Sequence, residues 1–168
     1  MNDIIIRRAV REDVPALLDI YNYEVVNGVS TLDLNPRTLD EWNAWYDAHQ
    51  SDIHPLYVAE RTSDGVVVGY SSFSPYRSKE AYLSTVELSV YVSPDARGAG
   101  VATRLLEALV DHAWKSDVIH LVVSVITSEN VPSVHLHRKF GFTYRGTLHE
   151  VGYKHGRYLD ISMYELLV

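Results

Sequence analysis

Between Val90 and Ala102 the chain passes from an apolar, β-branched strand through Arg97-Gly98-Ala99-Gly100 into a helical pattern. In that pattern Val101, Leu105 and Leu109 share one face, with Ala102 and Leu106 beside them. A strand that turns so abruptly into an amphipathic helix points to an α/β arrangement. The turn also has chemical consequences. Free N–H groups of the turn and of the first helical turn converge where the helix dipole is positive, and Gly98 and Gly100 have no side chain to hold a phosphate oxygen away. This is no Walker loop, since no Gly-Lys-Ser/Thr follows, and no dinucleotide fingerprint, since Thr103 stands where the third glycine belongs. Taken alone, the glycine pair fits a pyrophosphate site and a tight turn that merely begins a helix equally well.

The rest of the chain supplies the other layers. Ile4 to Ile6 opens a strand, and Val14, Leu17, Leu18, Tyr21 and Val25 give a helix with one apolar face that ends near Gly28. Thr38-Leu39-Asp40-Glu41 has the form of a capping box and starts a second helix carrying Trp42, Trp45 and Tyr46, residues read as core rather than pocket lining. Leu56 to Arg61, Val66 to Phe73 and Tyr82 to Val92 read as an antiparallel meander, with Ser63-Asp64-Gly65 as the first hairpin turn. Ile119 to Ile126 reads as a buried strand and Pro132 to Phe140 as a helix stopped by Gly141. Phe142 to Glu150 and Tyr158 to Leu167 are then the closing strands.

At 168 residues the chain is expected to form one domain over 1–168. Its apolar runs are far below the roughly 20 residues that span a bilayer, and its start lacks the pattern of a signal peptide, so a cytoplasmic protein without a membrane partner is expected. There is no cysteine, which removes disulfides, thiolate metal sites and an acyl-cysteine route. The 15 Lys+Arg against 22 Asp+Glu give a net charge of -7, which repels a polyanion and argues against nucleic acid as a partner.

A second segment gives the glycine turn its context: Asn130-Val131-Pro132-Ser133-Val134-His135-Leu136-His137-Arg138-Lys139-Phe140-Gly141-Phe142. Arg-Gly-x-Gly-x-Ala opening a helix, followed about thirty residues later by Asn-x-x-Ser-x-x-Leu-His-x-x-x-Gly-Phe, resembles the acetyl-coenzyme A site of the GNAT superfamily of N-acetyltransferases. Thr85 to Val92, Pro75-Tyr76-Arg77 and Gly152 to Asp160 narrow the resemblance to the phosphinothricin and methionine sulfoximine N-acetyltransferases. The resemblance runs through nearly the whole chain. It implies a mixed, largely antiparallel sheet of about seven strands flanked by four helices, with a splayed central strand pair. It further implies acetyl-coenzyme A as co-substrate, a small-molecule amine as acceptor and a homodimer.

Residue by residue, the resemblance implies that the strand at Val90, Tyr91 and Val92 pairs with the pantetheine arm like an added strand. Arg97, Gly98, Ala99, Gly100, Val101 and Ala102 would cradle the pyrophosphate. Asn130 would hold the pantetheine, with Ser133 in the same cofactor-binding set; Asn130 also reads as a helix N-cap, and both readings can hold. Amine acetylation needs a base, a donor for the developing oxyanion and a proton for the thiolate. Glu87, in an apolar strand where burial would raise its pKa, matches the family's catalytic glutamate, although strand alternation alone also allows a solvent-facing side chain. His137 matches the family's histidine in place of the thiolate-protonating tyrosine of other GNAT enzymes, with simple packing beside the coenzyme as the alternative. The Val90 N–H is the expected oxyanion donor.

Arg77 could receive a substrate carboxylate or be an ordinary surface arginine. Leu34 stands where many relatives have an aromatic residue, and Tyr158 where tryptophan is more usual, so both are placed in the substrate-binding set and the amine accepted need not be phosphinothricin. His135 and His137, two apart on a helix, point away from each other, and no metal site is expected. Two other functions stay open at this stage: acetylation of a protein N-terminus or lysine, and a coenzyme A-binding module without catalysis.

Overall fold

The structure, a computed structural model, describes residues 3–168. One seven-stranded sheet runs in the order β1-β2-β3-β4-β5-β7-β6. Its strands are β1 (Ile4–Arg8), β2 (Leu56–Arg61), β3 (Val66–Pro75), β4 (Thr85–Val92), β5 (Leu121–Thr127), β6 (Thr143–Lys154) and β7 (Arg157–Leu167). The helices are α1 (Val14–Asn27), α2 (Leu39–Asp47), α3 (Val101–Lys115) and α4 (Val131–Lys139). Every pairing is antiparallel except β4 with β5.

Strand alternation divides the core between the two faces of the sheet. On one face, Val14, Leu17, Tyr21 and Val25 of α1 and Trp42 and Tyr46 of α2 pack on Leu56, Val58 and Tyr70. On the other, Leu106 and Leu109 of α3 pack on Phe73, Val86, Leu88 and Val122, and Val134 and Leu136 of α4 lie against the same cluster. β4 therefore turns Val86 and Leu88 toward α3, and Glu87, Ser89 and Tyr91 toward α1 and α2.

The capping box is complete. The Glu41 amide donates to Thr38 Oγ1 at 3.2 Å and the Thr38 amide to Glu41 Oε2 at 2.7 Å. Thr38→Ala is expected to cost about 1 kcal/mol, lowering the thermal midpoint by about 2–4 °C for a chain of this size. A calorimetric scan checks it, and an unmoved midpoint would show that α2 is held by packing alone.

The meander departs from the sequence reading at its third strand, which starts at Thr85 rather than Tyr82. Glu80–Tyr82 instead forms a 3₁₀ turn, with the Tyr82 amide donating to Lys79 O at 3.0 Å and the Leu83 amide to Glu80 O at 3.1 Å. This turn stacks Tyr82 edge-on against Tyr76 and under the Arg77 guanidinium. β6 runs past Glu150 to Lys154 by absorbing two irregularities, at Tyr144/Gly146 and Leu148/Gly152.

The feature that positions the site is where the sheet divides. β4 pairs with β5 only over Thr85↔Leu121, Val86↔Val122 and Glu87↔Val123. Beyond Glu87, β4 follows β3 to Val92↔Gly69, while β5 follows β7 to Thr127↔Ile161. The two halves of the sheet part there, leaving a wedge open between them.

Candidate active site

The wedge opens into a cleft of about 1100 Å³. One wall is the free edge of β4. The Ser93 amide donates to Val68 O at 2.8 Å, so alternation turns the amides of Leu88, Val90 and Val92 away from β3 and into the wedge. The Val92 carbonyl on that edge accepts from Arg97 Nε at 3.3 Å. The other wall is β5, with Ser124 on the α3/α4 face and Val125 and Thr127 on the opposite one.

The glycine turn also lines the cleft. Gly98 and Gly100 have φ of 75° and 80°, a left-handed conformation that side chains disfavour, and a Cβ at either would meet no protein atom within 4 Å. No side chain caps α3, so its leading N–H groups face the cleft lined by Gly98, Gly100, Val101 and Ala102. Arg97 is held by the buried carboxylate of Glu24 on α1. That ion pair fixes the turn to the opposite layer, a tie across 73 residues that no local pattern announces.

Asn130, which also lines the cleft, caps α4: Oδ1 accepts from the Ser133 amide at 3.3 Å, and Nδ2 reaches Ser30 Oγ at 3.4 Å. His137 is 3% exposed and lines the cleft. Its Nδ1 lies 2.7 Å from the Ser133 carbonyl and so carries the hydrogen, which leaves Nε2, 2.8 Å from Ser124 Oγ, to accept from that hydroxyl. Burial lowers the ring's pKa, which favours its neutral form. Ser124 was invisible to sequence reasoning, because its role depends on a strand and a helix meeting in space.

Glu87 lines the cleft at the point of parting, half-buried, with no hydrogen bond or ion pair to its carboxylate among the described residues. Burial raises its pKa above the usual carboxylate range. The loop after α1 covers this side. Lys154, itself buried, donates to Thr31 O at 2.8 Å and Glu24 O at 3.3 Å, and Thr127 Oγ1 donates to Val29 O at 2.5 Å.

The structure thus gathers Glu87, Val90, Tyr91, Val92, Arg97, Gly98, Gly100, Val101, Ala102, Asn130, Ser133 and His137 around one cleft. Ala99 stands in the turn between the two lining glycines. The three residues placed in the substrate set lie elsewhere. Arg77 is exposed over the Tyr76 ring, Leu34 is exposed in its loop, and Tyr158 is exposed on the β6–β7 hairpin against Tyr153. None of the three lines the cleft. Among the described residues no cluster of His, Cys, Asp or Glu is arranged to hold a metal ion, and no helix is long and apolar enough to cross a membrane.

A mostly antiparallel sheet that parts at its one parallel junction, with a glycine-turned helix N-terminus at the mouth of the gap, defines an acetyltransferase-type α/β protein. The chain belongs to the Acetyltransferase (GNAT) family, which it matches over residues 19–142. It is 38% identical to a phosphinothricin N-acetyltransferase of Streptomyces coelicolor, over 97% of this chain and 95% of the relative. It is 39% identical to an L-methionine sulfoximine/L-methionine sulfone acetyltransferase of Pseudomonas paraeruginosa, over 96% and 92%. A GNAT superfamily phosphinothricin acetyltransferase from Sinorhizobium meliloti, solved in complex with acetyl-coenzyme A, superposes with a TM-score of 0.92 at 32% identity, over 99% of this chain and 89% of that one.

Proposed function

We propose that residues 1–168 act as one domain that transfers the acetyl group of acetyl-coenzyme A directly to the amine of a small amino-acid-like molecule of the phosphinothricin, methionine sulfoximine or methionine sulfone type. The observation that carries this reading is the parting of β4 from β5 beyond Glu87, which leaves the Val90 amide and an unpaired, half-buried carboxylate facing one cleft. The family membership and the relatives' activities support the same reading.

Each group at the cleft then has a task. The open edge of β4 at Val90 and Val92 pairs with an extended amide-bearing arm, and Asn130 and Ser133 hold the arm from the far side. The N–H groups from Gly98 to Ala102 receive the pyrophosphate, with Arg97 ordering the turn. Glu87 takes the proton of the substrate ammonium, a role suited to a carboxylate whose pKa burial has moved toward neutrality. As the nitrogen–carbon bond forms, the Val90 N–H donates to the oxygen that gains charge. The nitrogen's second proton passes through the Ser124 hydroxyl to His137 Nε2, which accepts from that hydroxyl at 2.8 Å, and as the carbon–sulfur bond breaks it returns by the same path to the departing thiolate.

His137→Phe keeps the packing against Phe142 and removes this route. We expect kcat to fall by about 10²-fold, the lower end of acid–base contributions, with the KM for acetyl-coenzyme A little changed, and Ser124→Ala to move kcat in the same direction. Steady-state kinetics across pH check both, and unaltered turnover would leave His137 a packing role.

The reading extends to a cytoplasmic homodimer that uses neither metal nor nucleic acid. The net charge of -7 supports the last point. The exposed Leu148, Val151, Tyr153 and Tyr158 on the β6–β7 hairpin support self-association, which sedimentation would test. The substrate class is tested by following thiol release with methionine sulfoximine, methionine sulfone, phosphinothricin, common amino acids and a short peptide. Turnover confined to the peptide would overturn it.

A further inference from the structure

Gly28 ends α1, but its conformation is not one that needs glycine. Its φ of -120° and ψ of -175° are extended backbone open to any residue. What Gly28 provides is room. A Cβ there would overlap the Glu24 carboxylate, lying 2.8 Å from its Cδ. The last turn of α1 thus keeps a space for one carboxylate, on a residue that is only 6% exposed.

That carboxylate is what grips Arg97. Arg97 Nη2 donates to Glu24 Oε1, Nε donates to the Val92 carbonyl at 3.3 Å, and the guanidinium carbon lies 5.8 Å from the centre of the Tyr23 ring. Nη1 has no partner among the described residues, and half of the Arg97 side chain is exposed. Arg97, Tyr23 and Glu24 all line the cleft together with Gly98 and Gly100. A guanidinium held on two of its nitrogens, with the third open beside the glycine turn, is set to meet an anion there.

Charge decides whether this arrangement helps or hinders. A carboxylate in the cleft wall repels phosphate, and Arg97 alone would only cancel it. Lys154 adds a second positive charge: buried behind the wall, it feels the charge of Glu24 and donates to the Glu24 carbonyl at 3.3 Å. Asp33, the other carboxylate that acts on Lys154, has Arg37 at 2.9 Å as its own partner. Two cations for the one carboxylate of Glu24 leave the cluster positive toward an anionic ligand. The gain is in order, because a long side chain that is fixed beforehand gives up no rotamer freedom when the ligand arrives.

Building on the acetyl-coenzyme A reading above, we propose that Glu24 is a positioning residue for the coenzyme's pyrophosphate, acting through Arg97, and that residue 28 is glycine so that the Glu24 carboxylate can stay in place. Gly28→Ala is then a way to dislodge that carboxylate without touching it. The backbone accepts alanine, and the side chain of Glu24 is what must give way.

The test reads binding apart from turnover. Calorimetry gives the Kd of coenzyme A for the wild type, Glu24→Ala and Gly28→Ala. Thiol release from S-acetylpantetheine, which carries the thioester arm without the pyrophosphate, follows the chemistry alone. Each variant is expected to weaken coenzyme A by about three- to tenfold, the cost of ordering one long side chain on binding, and to turn over S-acetylpantetheine as the wild type does. In an Arg97→Ala background neither substitution should weaken coenzyme A further, and Gly28→Ala should add nothing to Glu24→Ala. Gly28→Ala is the milder change and decides the matter where Glu24→Ala does not fold. An unmoved Kd in either folded variant overturns the proposal and leaves acetyl transfer standing. So does the same loss in the Arg97→Ala background, or an equal fall in S-acetylpantetheine turnover, which marks a general loosening of the fold. Coenzyme A that fails to bind the wild type removes the acetyl-transfer reading and the proposal together.

Discussion

Glu87→Gln is expected to lower kcat by the order of 10²-fold or more near pH 7, with little change in the KM for acetyl-coenzyme A. Glutamine keeps the size of the side chain and cannot take a proton. The pH profile carries the sharper information. Burial raises the Glu87 pKa, so in the wild type activity should climb with pH as the carboxyl ionises, along a limb displaced above the usual carboxylate range. Below that limb the residue holds its own proton and cannot accept the substrate's. In the variant the limb should vanish, and turnover should recover partly at high pH, where solvent supplies free amine. A variant with weakened coenzyme affinity and normal turnover would make Glu87 structural, and the proton would then leave through His137 or solvent.

Gly100→Val should weaken acetyl-coenzyme A binding by about 10- to 100-fold for each charged hydrogen bond to phosphate that is lost, each being worth about 1.5–3 kcal/mol. A β-branched side chain at φ 80° is also strained, by about 1–3 kcal/mol. Strain alone would lower stability without singling out the coenzyme. Gly65 gives the control, because it has φ of 71° and, like Gly100, no protein atom within 4 Å of an added Cβ, but it sits in the β2–β3 hairpin turn and does not line the cleft. Gly65→Val should lower the thermal midpoint to a similar degree and leave coenzyme affinity unchanged. Equal affinities in folded Gly100→Val and wild type would remove the turn from the binding site.

How far each feature was legible in the sequence depends on how local its cause is. The capping box at Thr38–Glu41, the helix ending at Gly28 and the hairpin at Gly65 are dictated by residues within a turn of one another, and the structure has them where the sequence puts them. The start of β4 was misplaced because Tyr82, β-prone by composition, is drawn into a 3₁₀ turn by its stacking on Tyr76. The parting of β4 from β5 is a matter of which strand each follows, and periodicity holds no trace of it. Only the resemblance of the Thr85–Val92 segment to a family pointed there. Trp42, read as core rather than pocket lining, is core, and it also lines a small cavity formed with Tyr70 and Ser72 of β3 and Ser89 of β4, elements the sequence keeps apart. The Ser124–His137 contact and the Glu24–Arg97 pair were hidden for the same reason, since each joins elements that the sequence keeps apart.

Direct transfer from thioester to amine is tested by a single turnover of the enzyme mixed with acetyl-coenzyme A and methionine sulfone, with every product weighed by mass spectrometry. The account predicts one N-acetylated amino acid for each thiol released, no acetyl group retained on the protein at any time, and formation of the acetylated product slowed by the order of 10²-fold in Glu87→Gln near neutral pH. Thiol release without an acetylated amine, or an acetylated protein that forms first and then decays, would contradict it.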